Sequence, residues 1–129
     1  MATVVATGAL GCGNECVELP AQCDPLYPPT YDNVFSRTLE VKCALSGGAC
    51  HSAEGAMGGL IYEDPDEAYG LLVGDGGGDR PVLPGDPACS ELVRRITSRD
   101  PDVQMPPGNR LSDQERCAII QWIANGAER

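Results

Sequence analysis

Aromatic residues, basic residues and histidine are scarce in this 129-residue sequence. Aromatic side chains make up 5% of the chain, whereas 16 Gly and 11 Pro together account for about a fifth of it. Because large apolar side chains supply most of the buried area in a small domain, the composition excludes a large core and predicts many loops. The length indicates a single domain of modest size.

The scarcity of positive charge excludes one class of partner. Lys and Arg total 9 against 19 Asp and Glu, which gives a net charge of -10. Proteins that bind nucleic acids displace counterions with clustered Lys and Arg, so we expect no nucleic acid partner. A partner that is steered by electrostatics is expected to present a basic face. Beyond the first residues, no apolar run approaches the about 20 residues that span a bilayer.

Cysteine, in contrast, is abundant, with seven residues. Small domains with limited cores use disulfides or covalent cofactors for stability in oxidising compartments. Because seven is odd, one cysteine is expected to have a separate use, and Cys12 is the candidate. The stretch Ala9-Leu10-Gly11-Cys12 resembles a bacterial lipobox, although its leucine lies one position late and no basic residue precedes it. We therefore expect residues 1–11 to be a signal-peptide remnant and Cys12 to be lipidated, which anchors the protein to a membrane in the periplasm or at the cell surface.

Capping signals predict four short helices in residues 31–129, which we interpret as the folded domain. Each helix start carries a residue type that caps helices, and these residues are Thr30, Asp64, Asp86 and Ser112. Proline follows two of the caps, and a glutamate three positions after two of them completes a capping box. The last helix is expected to end at Asn125-Gly126. No long segment alternates with the period of a strand, so the predicted class is all-α with long Gly/Pro-rich loops.

Four cysteines are candidates for disulfides. Residues 12–30 are rich in Cys and Pro and are interpreted as an irregular tether, in which Cys16 and Cys23 are candidates for a local bond. Cys89 and Cys117 each fall early in a predicted helix, so our preferred pairing joins the third and fourth helices. Six cysteines allow fifteen connectivities, and the sequence alone does not decide between them.

The segment KCALSGGACHSAEG, residues 42–55, contains the only histidine of the chain. Covalent haem attachment uses two thiols for the vinyl groups and an imidazole directly after the second thiol, and its common spacing is C-x-x-C-H. Cys50 and His51 fit the second half of this pattern, whereas six residues separate Cys43 from Cys50. By itself, the segment favours a Cys43–Cys50 disulfide beside an exposed His51.

A methionine later in the chain could provide a second axial ligand to a haem iron. Met105 lies in VQMPPGNRLS, and an irregular loop of this kind can carry a thioether over a haem face. Methionine sulfur raises the reduction potential of a His-ligated iron. Met57 is a poor rival because only six positions separate it from His51. The alternative role of Met105 is that of a gap-filling core residue.

An ordered succession of motifs runs from about Asn33 to Ala127. The motifs are Cys50-His51, Gly58-Gly59-Leu60, VLPGDPACSELVRRI at 82–96, Met105-Pro106-Pro107, Leu111-Ser112 and WIANGA at 122–127. This order resembles class I cytochromes c, in particular the planctomycete-type cytochrome c domains of predicted lipoproteins. The resemblance implies one covalent haem c, attached through Cys43 and Cys50, with His51 and Met105 as the axial iron ligands. The wide spacing puts the Cys43 thioether most in question, since a single bond through Cys50 is the alternative.

The resemblance implies a lipid-anchored monohaem cytochrome that carries single electrons between extracytoplasmic redox proteins. With both axial positions occupied, an enzymatic role is not expected, and one histidine leaves no base for a peroxidase or hydrolase. Zinc is disfavoured because Cys43, Cys50 and His51 form an irregular set without a fourth ligand. The alternative function is a haem-free, disulfide-stapled lipoprotein that serves as a structural or interaction module. In that alternative, Cys43 pairs with Cys50 and Met105 only packs.

Overall fold

Helices joined by irregular segments form the computed structural model of the chain, which describes residues 16–45, 50–51, 55, 59–74 and 80–129. The helices are α1 (Tyr31–Val34), which continues directly as a π-helix (Phe35–Leu45), α2 (Pro65–Leu72), α3 (Glu91–Thr97) and α4 (Asp113–Ala124). Within the described ranges there is no strand, so the all-α prediction is confirmed. The predicted signal-peptide remnant 1–11, the predicted lipidation site Cys12 and Met57 lie outside these ranges.

Three of the four predicted helix starts are confirmed. The side chains of Thr30 and Asp64 each accept the backbone N–H three residues further on, at 3.4 Å and 2.9 Å. At the start of α4, Ser112 and Glu115 form the reciprocal capping box, with bonds of 3.1 Å and 3.0 Å. Because caps satisfy N–H groups that have no intrahelical partner, these short-range signals fix where the helices begin.

The predicted start of the third helix at Asp86 and Pro87 is wrong, because α3 begins after Ser90. The Asp86 carboxylate does accept the N–H of Cys89 at 3.3 Å, but this bond closes a turn. The Ser90 hydroxyl stabilises that turn, since it donates to the Asp86 carbonyl at 2.8 Å and accepts the N–H of Leu83 at 2.9 Å. Aspartate therefore performs the same local chemistry in a turn as it would at a helix cap.

Both predicted disulfide pairings are wrong, although the same four cysteines form two bonds. Cys16 is bonded to Cys89 and Cys23 to Cys117, across sequence separations of 73 and 94 residues. A local Cys16–Cys23 bond is therefore excluded, and so is a bond between α3 and α4. Each disulfide instead joins the N-terminal segment to the helical part of the chain.

The segment of residues 16–30 is irregular as predicted, but it lies against the helices. The backbone N–H of Val17 donates to the Ala88 carbonyl at 2.8 Å, and that of Leu26 donates to the Gln114 carbonyl at 3.1 Å. With the two disulfides, these bonds tie the described part of the expected tether to the α3 and α4 region.

The core is built around the buried ring of Tyr31 in α1. This ring meets Tyr69 of α2 edge-on at 5.1 Å and packs beside Trp122 of α4 at 5.4 Å between centroids. Its hydroxyl donates to the Pro65 carbonyl at 2.6 Å. Aromatic pairs of this geometry stabilise a fold by more than their buried area accounts for. Through these contacts the Tyr31 side chain connects three helices. None of the helices in the described ranges has the length and apolar character that crossing a bilayer requires.

Candidate functional site

The π-helix brings Cys43 next to the Cys50-His51 pair. Cys43 lies near the C-terminal end of this helix, and its carbonyl accepts the backbone N–H of His51 at 3.1 Å. The backbone of His51 therefore lies against the end of the helix; residues 46–49 are outside the described ranges. Helices of the π type are rare and occur frequently at functional sites. The two halves of the stretched C-x6-C-H motif are thus neighbours in space.

His51 is buried, with 5% of its surface exposed, which differs from the exposed histidine expected beside a Cys43–Cys50 disulfide. Its ring Nδ1 lies 3.2 Å from the carbonyl oxygen of Leu60. Because a carbonyl only accepts hydrogen bonds, Nδ1 carries the proton, and in the neutral ring Nε2 then carries the lone pair. Histidines that ligate metals are oriented in this way, with the other ring nitrogen donating to a carbonyl or carboxylate.

Tyr62 makes two further contacts with the histidine. Its ring packs 4.7 Å from the His51 ring at an interplanar angle of 39°, and its backbone N–H donates to the His51 carbonyl at 2.6 Å. Tyr62 is 2% exposed, and burial is the main cause that raises the pKa of its hydroxyl above the ordinary value. The phenol therefore stays neutral. The Leu60 carbonyl and the Tyr62 ring are thus both in contact with the His51 ring.

The thiols of Cys43 and Cys50 are not joined, so the disulfide required by the haem-free alternative is not formed. Burial raises the pKa of the Cys43 thiol to about 12, with smaller contributions from Cys50 and Glu115. In the described part of the chain, no three His, Cys, Asp or Glu side chains come close enough to hold a metal ion.

Met105 lies in the loop between α3 and α4 and is half-buried. Its backbone N–H donates to the carbonyl of Arg95 in α3 at 2.9 Å. Gln104, its neighbour, donates from its side chain to the Pro106 carbonyl at 3.0 Å. These contacts fix Met105 beside the C-terminal end of α3, and none of them involves His51. The role of Met105 as second axial ligand stays a prediction.

A cleft of about 500 Å³ opens elsewhere, between the N-terminal segment and the helices. It is lined by residues 18–22, by Thr97 at the end of α3 and by Arg110, Arg116 and Ile120. The Arg110 side chain donates to the Thr97 carbonyl at 2.9 Å, which fixes the guanidinium at the wall of the cleft. The cleft walls contain neither His51 nor the two thiols.

The profile of the family described as Planctomycete cytochrome C matches residues 48–109. Over this stretch the chain resembles planctomycete-type cytochromes c. The resemblance inferred from the motifs is therefore confirmed, and the matched stretch is slightly less than half of the 129 residues. It includes Cys50, His51 and Met105 but begins after Cys43. No significant match is found among curated proteins or among solved structures.

Sequence reasoning missed two groups of the site, the Leu60 carbonyl and the Tyr62 ring. Leu60 belongs to the GGL motif, so its position, but not its hydrogen bond, was visible in the sequence. Every residue has a carbonyl, and therefore the acceptor for a histidine has no side-chain signature. No sequence motif around Tyr62 indicates a contact with His51, because the contact between the two rings arises only in the folded chain.

Proposed function

We propose that the chain is a monohaem c-type cytochrome that carries single electrons outside the cytoplasm. The observation that carries the proposal is the state of His51, whose Nδ1 proton is held by the Leu60 carbonyl. This tautomer fits an iron ligand, and it occurs in a stretch that matches a cytochrome c family. When bound, the haem would supply an iron centre that gains and loses one electron reversibly.

Four groups near the π-helix have distinct roles in this proposal. Cys50 provides a thiol for covalent attachment, and the next residue, His51, provides Nε2 as the proximal ligand. The Leu60 carbonyl keeps the proton on Nδ1 and thereby raises the basicity of Nε2. The Tyr62 ring restricts rotation of the imidazole and keeps water from its face. Water exclusion at a haem ligand raises the energetic cost of the charged iron state and so tunes its potential.

Met105 is proposed as the distal ligand. A thioether is a neutral, soft donor, and Met105 would hold the haem iron together with His51. A filled coordination sphere leaves no position for oxygen or peroxide, so the proposed role is electron transfer rather than catalysis. The backbone bond from Met105 to Arg95 supports this role, because it anchors the loop that carries the sulfur.

The proposed location is the periplasm or the cell surface, with Cys12 as a lipidated anchor. Two disulfides support an oxidising compartment, since cytosolic thiols are kept reduced. A membrane anchor would raise the effective concentration of the carrier near membrane-bound redox proteins. With a net charge of -10, the proposed partners present basic faces.

Covalent haem retention tests the proposal directly. When the full chain is produced with a c-type haem maturation system and then denatured, one haem is expected to stay attached to each chain. Absorbance after denaturation and intact mass measure the attachment. The chain produced without the maturation system serves as the control. Denatured protein without haem would contradict the cytochrome proposal.

The distal ligand has a separate test in the haem-loaded protein. Replacing Met105 by alanine is expected to lower the reduction potential, because a soft ligand that favours ferrous iron is lost. The open position should then bind carbon monoxide, which potentiometry and absorbance spectra detect. Val103→Ala is the matched control, since Val103 lies in the same loop and is also half-buried. Identical spectra and potentials in M105A and the unmodified protein would remove Met105 from the ligand set.

A further inference from the structure

Cys43 and Cys50 differ in where the fold holds them. Cys43 lies within the π-helix and packs against the hydrophobic core, next to Ala44, which is fully buried. Leu39, four residues earlier on this helix, is also buried at 1% exposure. Cys50 lies in the turn that contains His51 and is outside the core cluster. One thiol is thus partly buried against the core, and the other belongs to the motif that presents the imidazole.

The backbone also holds Cys43 in place. Its carbonyl accepts the His51 N–H at 3.1 Å, so the helix end and the imidazole segment are joined by a direct bond. Turning the Cys43 side chain out of the core would expose apolar surface and disturb the helix turn that supplies this carbonyl. The common C-x-x-C-H spacing would put the first cysteine at position 47, which is a glycine here.

We propose that haem is attached to this chain through Cys50 alone, while Cys43 remains a thiol packed against the core. This proposal rests on the proposed cytochrome function. In the attachment step, the Cys50 S–H adds across one vinyl double bond of the porphyrin. A C–S bond forms, the thiol hydrogen goes to the other vinyl carbon, and the carbon–carbon π bond is lost. The addition needs no oxidant or reductant, and the second vinyl group stays intact.

Thiol counting in the full chain tests this attachment. The protein used in this test has the substitution Cys12→Ser, so that Cys43 and Cys50 are the thiols outside the two disulfides. After production with a c-type haem maturation system, it is denatured without reductant, treated with iodoacetamide and analysed by intact and peptide mass spectrometry. Single attachment predicts one haem and one alkylated cysteine, which fragmentation assigns to Cys43.

The other outcomes separate the two proposals. One haem with no alkylated cysteine means that both thiols are bonded, which overturns single attachment and leaves the cytochrome function standing. No haem with two alkylated cysteines overturns both proposals. Because neither Cys43 nor Cys50 is substituted in this protein, the result does not depend on whether a variant at either position folds.

Matched variants provide a second readout. Cys43→Ala is expected to retain covalent haem at the yield of the parent protein, and Cys50→Ala is expected to retain none after denaturation. The reduced protein in alkaline pyridine reports the number of remaining vinyl groups, and C43A should give the same absorbance spectrum as its parent. A spectrum that changes in C43A would show that Cys43 had been bonded to the porphyrin.

Discussion

Loss of the Cys23–Cys117 disulfide is expected to lower the free energy of unfolding by about 2–5 kcal/mol. The bond closes a loop with a sequence separation of 94 residues, and a cross-link of this span restricts the unfolded chain strongly. Cys117 is buried, so the test uses Cys23→Ala with Cys117→Ala, which avoids burying a hydroxyl group. Urea unfolding of the oxidised, haem-free protein measures the loss.

The matched control is Cys43→Ala, which removes a core-packed sulfur without removing a cross-link. It is expected to cost about 1 kcal/mol, in the usual range for a single truncation. Removal of the Cys16–Cys89 bond should cost nearly as much as removal of Cys23–Cys117, because loop entropy changes slowly between separations of 73 and 94 residues. Equal stability of the Cys23/Cys117 variant and the parent would contradict the cross-linking argument.

A dependence on disulfides bears on the proposed function. If the two bonds supply several kcal/mol of a total stability of about 5–15 kcal/mol, the domain folds well only where thiols become oxidised. Disulfide formation would then account both for the stability of the fold and for its proposed location in the periplasm or at the cell surface. Unfolding curves measured with and without reductant compare the two conditions directly.

Replacement of Tyr62 by alanine is expected to lower the free energy of unfolding by about 3–5 kcal/mol, as for other buried aromatic side chains. Tyr62 is 2% exposed, and its ring lies 4.7 Å from His51, so the truncation would leave a cavity beside the imidazole. Thermal or urea unfolding of the haem-free protein measures this cost. In haem-loaded protein, the imidazole would lose one of its supports, and the reduction potential should change.

Tyr62→Phe is the control for the ring, because it keeps the packing and removes the hydroxyl. It is expected to cost about 1 kcal/mol or less, in the range of one net hydrogen bond. The contrast between Y62A and Y62F therefore separates packing on His51 from polar contacts. A loss in Y62F as large as that in Y62A would assign the effect to the hydroxyl and contradict a role for the ring.

The parts of the fold that follow from adjacent residues were predictable. Ser112 and Glu115 complete each other within one helical turn, so the sequence contains the whole interaction. Asp86 shows the limit of this reasoning, because an aspartate before proline suits a turn as well as a helix start. The choice between them depends on Leu83 and Ser90, whose bond crosses seven residues.

Disulfide pairing was not predictable because it depends on how distant segments pack. Cys16 and Cys23 are near each other in sequence, yet their partners lie 73 and 94 residues away. Proximity in sequence was therefore a poor guide to proximity in space. The pairing is set by the way residues 16–30 lie against the α3 and α4 region.

At the site, the sequence indicated the residues and the fold supplied their orientation. The adjacency of Cys50 and His51 was readable as an attachment motif. The proton on Nδ1 depends on a carbonyl nine residues away, which no pattern of side chains encodes. For Met105, the motif order and the match to residues 48–109 support a ligand role, while its backbone hydrogen bond is to Arg95 of α3.

The Cys16–Cys89 bond also determines where a mechanical load would enter the domain. For a chain anchored at Cys12, a pull from the membrane would pass at Cys16 directly to the turn before α3, and residues 17–30 would carry little of it. Only the residues between Cys12 and Cys16 would then act as a leash. Cys12 lies four positions before Cys16, and a chain of that length spans at most about 14 Å when fully extended. A carrier held so closely would exchange electrons with partners at the bilayer surface rather than deep in the surrounding compartment.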